Sequence, residues 1–222
     1  MLAGEAVVAI WNGIEPEARD QFYDWHVNEH MPERVGIPGF RRGRRYIATD
    51  AATSPEFFTL YEADAMPVLQ GADYAGRLND PTPGTRATTA KFTDTFRALS
   101  RVLISHGPGM GGAMLTIRFE CDEPHLIAVR AMVRAASQAR RVTGAHLCRA
   151  DQAASLVRTT ETKGRADIQP PPSCFIMVEA TDAEALTDIL LDRALLGAGA
   201  VGPFVRGVYR LEYTRMKTAF AP

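Results

Sequence analysis

Two histidines one helical turn apart are the residues of this chain best suited to moving a proton. His26 and His30 lie in the segment QFYDWHVNEHMPE, and Glu29 directly precedes the second histidine. An imidazole titrates near pH 6.5, so it can accept and return a proton at neutral pH. We therefore predict that His30 is a general base or acid, with His26 and Glu29 as catalytic neighbours. The alternative is a structural His30 that hydrogen-bonds a backbone carbonyl at the following turn.

The same spacing, H-x3-H, is also found in zinc sites, because residues four apart share one face of a helix. In metalloprotease helices of this kind the glutamate follows the first histidine, whereas here Glu29 adjoins the second. The sequence offers no obvious third ligand, so we expect no metal and no organic cofactor. It leaves a divalent metal open, and haem as well, for which His30, His106 and His146 are the available ligands.

Large aromatic residues accompany the histidines. Phe22, Trp25, His26 and His30 fall on one broad stripe if the segment is helical. Pro38-Gly39 then ends the helix and leads into a predicted strand, Phe40–Asp50. Such a helix and strand would form a pocket wall. The predicted substrate-binding residues are Trp25, Phe22, Arg45, Tyr46 and Phe58. In the alternative interpretation the strand aromatics pack in the core, and the arginines are solvated or ion-paired.

The elements around this segment follow the order β-α-β-β-α-β. Strands are predicted at Glu5–Trp11, ended by Asn12-Gly13, and at Phe40–Asp50, Phe57–Glu62 and Phe92–Ile104. A second helix is predicted at Met66–Leu78, followed by a loop over residues 79–84. This order is that of a ferredoxin-like unit.

The second part of the chain repeats the first. AMLTIRF from Ala113 mirrors AVVAIW from Ala6, GAHLCRAD (144–151) matches GRRYIATD (43–50), and PSCFIMVE (172–179) matches PEFFTLYE (55–62). The glycine-rich run GPGMGG separates the copies. We predict a first half at 1–106 that carries the candidate site, a linker at 107–112, and a degenerate second half at 113–222.

The residues of the first helix and strand resemble those of EthD-type proteins, which belong to the dimeric α/β-barrel superfamily. The resemblance lies in Phe22, Trp25, His30 and Pro32, then in Pro38-Gly39-Phe40 and Arg45-Tyr46. It implies an α+β fold in which two fused ferredoxin-like βαββαβ units, with antiparallel sheets, pack as an intrachain dimeric α/β barrel. It also implies a ligand between the sheet and the first helix, where polar residues of the helix often do the chemistry.

Members of that superfamily include cofactor-free monooxygenases, polyketide cyclases, lactone isomerases, haem-dependent enzymes and proteins with no known activity. The expected function is an enzyme of isomerase, cyclase, lyase or monooxygenase type without an organic cofactor. It would act on a partly aromatic or lactone-like compound through proton transfer by His30. The alternative is a non-catalytic metabolite-binding or stress-related barrel.

Composition limits the partners. With 25 basic and 26 acidic residues among 222, the net charge of −1 favours neither nucleic acid nor an anionic membrane. No apolar run approaches the ~20 residues that span a bilayer, and the three cysteines have no close pair. We expect a cytoplasmic protein with a small-molecule ligand, no nucleic-acid or membrane partner, and the homo-oligomeric state left open.

The two halves are predicted to be functionally unequal. Aligning Glu15-Pro16 with Glu123-Pro124 puts Arg134 opposite His26 and Gln138 opposite His30, so the second helix carries neither imidazole. We therefore expect one functional pocket per chain, in the first half. The long segment 152–171 of the second half is expected to serve as a lid.

Overall fold

The strands of the first half alternate with short helices. The computed structural model describes residues 1–218, so residues 219–222 of the predicted second half lie outside the described residues. The elements of this half are β1 (Ala6–Ile14), α1 (Arg19–Trp25), α2 (Met31–Gly36), β2 (Phe40–Ala48), β3 (Phe57–Ala63), α3 (Met66–Leu69), α4 (Ala72–Asn79), α5 (Pro83–Thr89) and β4 (Phe92–His106).

The second half repeats this plan with one principal helix. Its elements are β5 (Ala113–Glu120), α6 (Leu126–Ala136), β6 (Val142–Ala150), α7 (Gln152–Ser155), β7 (Ile168–Gln169), β8 (Cys174–Ala180), α8 (Asp192–Gly197) and β9 (Val201–Met216). No helix within residues 1–218 is long and apolar enough to cross a lipid bilayer.

The two halves join edge to edge into a closed barrel. The strand order is β4-β1-β3-β2 in the first half and β6-β8-β5-β9 in the second. Strand β2 pairs antiparallel with β9, and β4 pairs antiparallel with β6. The predicted fold class is confirmed: an α+β chain in which two ferredoxin-like halves form an eight-stranded antiparallel barrel.

Strand alternation produces two buried layers. One set of side chains fills the barrel, and the other packs beneath the helices that cover its outside. Both faces are therefore apolar, which explains the nearly continuous hydrophobic runs of β1, β5 and β8. Inside the barrel the indole of Trp11 lies 5.0 Å from the ring of Phe58 and 5.2 Å from that of Phe175. Phe58 and Phe175 thus occupy the equivalent positions that the sequence repeat predicts.

A buried ion network joins the halves inside the barrel. Arg44 Nη1 lies 2.7 Å from Glu179 Oε2 of the second half, and Arg44 Nη2 lies 3.0 Å from Glu62 Oε1 of the first. His146 Nε2 lies 3.1 Å from Glu179 Oε1. Burial acts to raise the pKa of Glu179, but the hydrogen bond with His146 and the charge of Arg44 outweigh it and lower that pKa to about 2.

Several predicted boundaries differ from the structure. Strand β1 continues through Asn12-Gly13 to Ile14, because a bulge absorbs the irregularity there. The helix predicted at Met66–Leu78 is interrupted after Leu69 and resumes at Ala72, and the loop predicted over 79–84 ends earlier, since α5 begins at Pro83.

For β2 and β6, the residues that correspond in the structure differ by one position from those matched in the sequence repeat. Arg44 and His146, rather than Gly43 and Gly144, correspond in space, because Arg44 faces the barrel interior with Glu62 and His146 faces it with Glu179. Both halves carry the same register shift, between Phe40 and Arg42 of β2 and between Val142 and Gly144 of β6, so the paired strands correspond at this offset along their length.

Candidate active site

The helix that carries both histidines contains a π-helical turn, His26–His30, between α1 and α2. The N–H of Met31 donates to the carbonyl oxygen of His26, five residues earlier, instead of four. Pro32 lacks the N–H that an α-helix would direct at residue 28, so the regular pattern is already broken here. The wider turn brings the ring of His30 onto that of Trp25, with centroids 4.2 Å apart.

A partly enclosed cavity of about 260 Å³ lies between this helix and the outer face of the first-half sheet. Its walls are mainly aromatic and aliphatic, as is typical of small-molecule sites. The helix contributes Phe22, Trp25, His26 and His30, and the sheet contributes Ile10, Asn12, Thr59, Tyr61, Thr95 and Arg97. The second half adds residues of the segment 152–171.

His30 lines this space and carries an unsatisfied polar atom. Its side chain is buried, and its Nδ1 has no hydrogen-bond partner within residues 1–218. The same is true of the phenolic oxygen of Tyr61, whose ring centroid lies 6.2 Å from that of His30. Buried polar atoms are nearly always paired, so two unpaired atoms on residues that line one cavity point to a site for a polar ligand group.

Burial and neighbouring charge fix the protonation of both groups. Burial, the charge of Arg34 and the proximity of His26 hold the pKa of His30 well below its ordinary value of 6.5. Burial raises the pKa of Tyr61 far above its ordinary value of 10. At neutral pH the cavity therefore offers a neutral imidazole, able to accept a proton, and a phenol able to donate a hydrogen bond.

His26 lines the same cavity but has a different partner. Its Nδ1 lies 3.4 Å from Arg45 Nη1, and its ring centroid lies 5.7 Å from that of His30. Burial and the charge of Arg45 lower its pKa well below 6.5, so His26 is also neutral at pH 7. Within residues 1–218 no group of three histidine, cysteine or acidic side chains is arranged to hold a metal ion.

The cavity does not suit haem as it is formed. Its volume of about 260 Å³ is just below the ~300–1,000 Å³ range of ligand pockets. Such a space accommodates a bicyclic or tricyclic compound, whereas a tetrapyrrole is far larger. We therefore assign no haem ligand among the predicted histidines.

Two further predicted site residues lie beside the cavity without lining it. Arg45 Nε is 3.1 Å from Glu212 Oε2, and its guanidinium stacks 4.6 Å from the ring of Tyr23, so its charge is already satisfied. The carboxylate of Glu29 accepts a hydrogen bond from the hydroxyl of Thr82, the residue that caps α5. A carboxylate at a helix N-terminus stabilises the helix dipole, which accounts for Glu29 without chemistry.

Tyr46 and Phe58 lie on the opposite side of the sheet, inside the barrel, with ring centroids 5.7 Å apart. The prediction that they bind substrate in this pocket is not supported by their position. Successive strand residues point to opposite faces, so it is Thr59 and Tyr61 that reach the cavity from β3. The two-residue period of β3 could have identified them; nothing in the sequence marks Asn12 or Arg97.

The segment 152–171 of the second half covers the cavity of the first, as a lid would. Arg34, buried in α2, forms ion pairs with Glu33 and with Glu161 of this segment. Strand β7 pairs with β4, and Asp167 accepts a hydrogen bond of 2.6 Å from the hydroxyl of Thr95. These contacts fix the segment over the first half.

The corresponding region of the second half is filled. Helix α6 packs Leu126, Val129 and Val133 against the outer face of its own sheet. Arg134 and Gln138, the predicted counterparts of the two histidines, are exposed. Ile127 of the same helix is 77% exposed and lies outside this packing face.

Solved structures share this architecture at very low sequence identity. The chain is similar to an anthrone oxidase-like protein, with a TM-score of 0.64 and 10% identity over 95% of this chain and 92% of the other. It is similar to proteins assigned to the monooxygenases from Fusobacterium nucleatum (TM-score 0.59, 8% identity, 97% and 96% covered) and Lactobacillus acidophilus (0.59, 8%, 96% and 96%). Neither known protein-family models nor curated protein sequences match the chain. At this identity the likeness shows the fold alone.

Proposed function

We propose that this chain is an EthD-type enzyme that works without an organic cofactor and removes a proton from a small, partly aromatic or lactone-like compound. One observation carries the proposal. His30 and Tyr61 line a largely aromatic cavity of about 260 Å³, and the buried Nδ1 of the first and hydroxyl of the second lack hydrogen-bond partners within residues 1–218. The first can accept the proton, and the second can donate a hydrogen bond to the oxygen on which negative charge develops.

The energetics restrict the substrate. Transfer of a proton from a phenol-like acid with a pKa near 10 to an imidazole with the ordinary pKa of 6.5 is unfavourable by about 5 kcal/mol. The lowered pKa of His30 increases that cost, whereas attraction between the new imidazolium and the substrate anion in a buried site reduces it. A substrate whose anion is delocalised over conjugated rings is therefore favoured.

Proton removal is the step shared by isomerases, cyclases, lyases and cofactor-free monooxygenases. The structural likeness to an anthrone oxidase-like protein is consistent with a fused-ring substrate of this acidity. The second candidate function is a non-catalytic module that holds such a metabolite in the same cavity. It is favoured by the lowered pKa of His30, which makes the imidazole a weak base.

The test is hydrogen exchange at carbon acids under anaerobic conditions in D2O. Anthrone, 2-tetralone and α-angelica lactone would be incubated with the protein, and deuterium uptake followed by mass spectrometry. We expect exchange of at least one compound above the buffer rate, and a loss of ~10²-fold or more in His30→Gln. His125→Gln is the matched control, because His125 is exposed, pairs with Asp122 and does not line the cavity.

Binding of these compounds without exchange would favour the non-catalytic module. Exchange that survives His30→Gln in a normally folded protein would remove His30 from the chemistry.

A further inference from the structure

Arg97 is a half-buried arginine of the cavity without an acidic partner within residues 1–218. It projects from β4 on the outer face of the sheet and lines the cavity with His30 and Tyr61. Its guanidinium donates a hydrogen bond of 3.1 Å from Nη2 to the hydroxyl of Tyr74 and lies 5.8 Å from the centroid of that ring. The contact fixes the side chain but leaves its charge uncompensated.

Neighbouring buried arginines are different. Arg34 pairs with Glu33 and Glu161, and Arg45 pairs with Glu212. A guanidinium carries five donors in a planar fork, and one phenolic hydroxyl occupies a single donor. Arg97 therefore has N–H donors available to a ligand. In Arg34 and Arg45 carboxylates already occupy such donors.

The formal charges of the cavity wall point the same way. Arg97, Arg158 and Arg165 line it, against Glu161 as the acidic residue of the lining. Arg165 is neutralised by Asp167, with Nη2 and Oδ2 2.6 Å apart, and Glu161 is neutralised by Arg34. The charge that remains is positive and belongs to Arg97 and to the exposed Arg158.

Arg97 projects from β4, two strands away from β3, the strand that carries Tyr61. In the sheet it is opposite Ile10 of β1, and Ile10 is opposite Thr59 of β3. Two strand spacings separate β4 from β3, roughly 10 Å across the cavity floor. That span is comparable to a fused bicyclic or tricyclic compound lying across the floor.

We infer that the ligand of this cavity is an aromatic acid whose carboxylate, or equivalent anionic oxygen group, is bound by Arg97 at the end away from His30 and Tyr61. The inference rests on the proposed function and names its substrate class. The anionic group anchors one end, the conjugated rings fill the apolar walls, and the acidic proton faces Nδ1 of His30. Guanidinium–carboxylate pairing fixes orientation as well as charge.

The test compares two probes of nearly the same shape, 2-naphthoate and the neutral 2-naphthamide, by isothermal titration calorimetry at pH 7. Wild-type protein is expected to bind the carboxylate at least ~10-fold more tightly than the amide, the ratio that separates one charged contact from none. In Arg97→Gln this preference should fall to near unity while the amide binds as before. Arg97→Lys should retain part of the preference, because it keeps the charge but not the fork.

Arg101→Gln is the matched control, because Arg101 lies on the same strand, is exposed and does not line the cavity. It should leave the preference intact. An unchanged preference in Arg97→Gln, or no preference in the wild type, would overturn the inference, and so would failure of both probes to bind. The proposed function is judged separately by His30-dependent carbon-acid exchange, so the two can fail independently.

Discussion

The rings of Trp25 and His30 stack with centroids 4.2 Å apart although the residues are five positions apart. In an α-helix five residues rotate about 500°, which leaves such side chains about 140° apart around the axis. The π-helical turn adds the residue that closes this gap. It directs His30 towards the cavity and Glu29 towards Thr82 and α5. The candidate site therefore depends on one irregular turn.

The first prediction concerns acid stability. The pKa values of His26 and His30 are lowered in the folded protein, so below pH 6.5 the unfolded chain binds more protons than the folded one. The contribution of the two neutral histidines to the free energy of unfolding is fully present above pH 6.5. It is lost as the pH falls below that value, by up to about 1.4 kcal/mol per pH unit for each histidine. Urea unfolding between about pH 7 and pH 5 should show a shallower dependence in His26→Gln/His30→Gln than in the wild type. Equal slopes would contradict the lowered pKa values.

The second prediction concerns the segment that covers the cavity. In Glu161→Gln the buried Arg34 loses one of its two acidic partners, at a cost of about 2 kcal/mol. Amide hydrogen exchange across 152–171 should become faster, while the barrel strands remain protected. Lys163→Gln, an exposed change in the same segment, should leave exchange as it is. If both variants behave alike, the ion pair does not hold the segment.

The third prediction concerns the ion network inside the barrel. A pKa of about 2 for Glu179, against an ordinary 4.5, corresponds to about 3 kcal/mol of stability above pH 4.5 that is lost as the pH falls towards 2. Glu179→Gln should show that loss at neutral pH, because Arg44 keeps only Glu62. Denaturant unfolding measures it. Glu184→Gln, which removes an exposed partner of Arg141, should cost under ~1 kcal/mol.

The fourth prediction concerns the halves. Residues 1–106 alone would expose the paired edges of β2 and β4 and the apolar inner face of the sheet. We expect this fragment to be insoluble or to self-associate, as measured by light scattering after size-exclusion chromatography. A monomeric fragment that unfolds cooperatively would show that the halves do not need each other.

The fifth prediction concerns stoichiometry. Crystals soaked with 2-naphthoate should show one molecule per chain, beside His30, because the second half fills the equivalent space with Leu126, Val129 and Val133. Comparable density beside Arg134 and Gln138 would show that the halves have retained two sites.

Local pattern and internal repetition determined the fold. The order of apolar strands and helices appears twice in the chain, and each ferredoxin-like unit leaves a sheet face and two edges that another unit can cover. Sequence matches such as Phe58 with Phe175 were sufficient to align the two halves with each other. Both side chains lie in the same buried layer inside the barrel. The mixture of Phe22, Trp25 and His30 on one helix was sufficient to locate the cavity wall.

Only the tertiary structure decided which face each side chain meets. A bulge or a π-helical turn changes direction by one residue, and propensity does not encode that shift. The π-helical turn brings His30 onto Trp25. In β3, plain alternation puts Phe58 and Tyr61 on opposite faces, and closure of the barrel decides which face is interior and which meets the cavity. Arg97 owes its place in the cavity to contacts distant in sequence, since it hydrogen-bonds Tyr74 and a segment of the other half lines the same cavity. Such contacts depend on how the chain closes on itself, which no local stretch of sequence specifies.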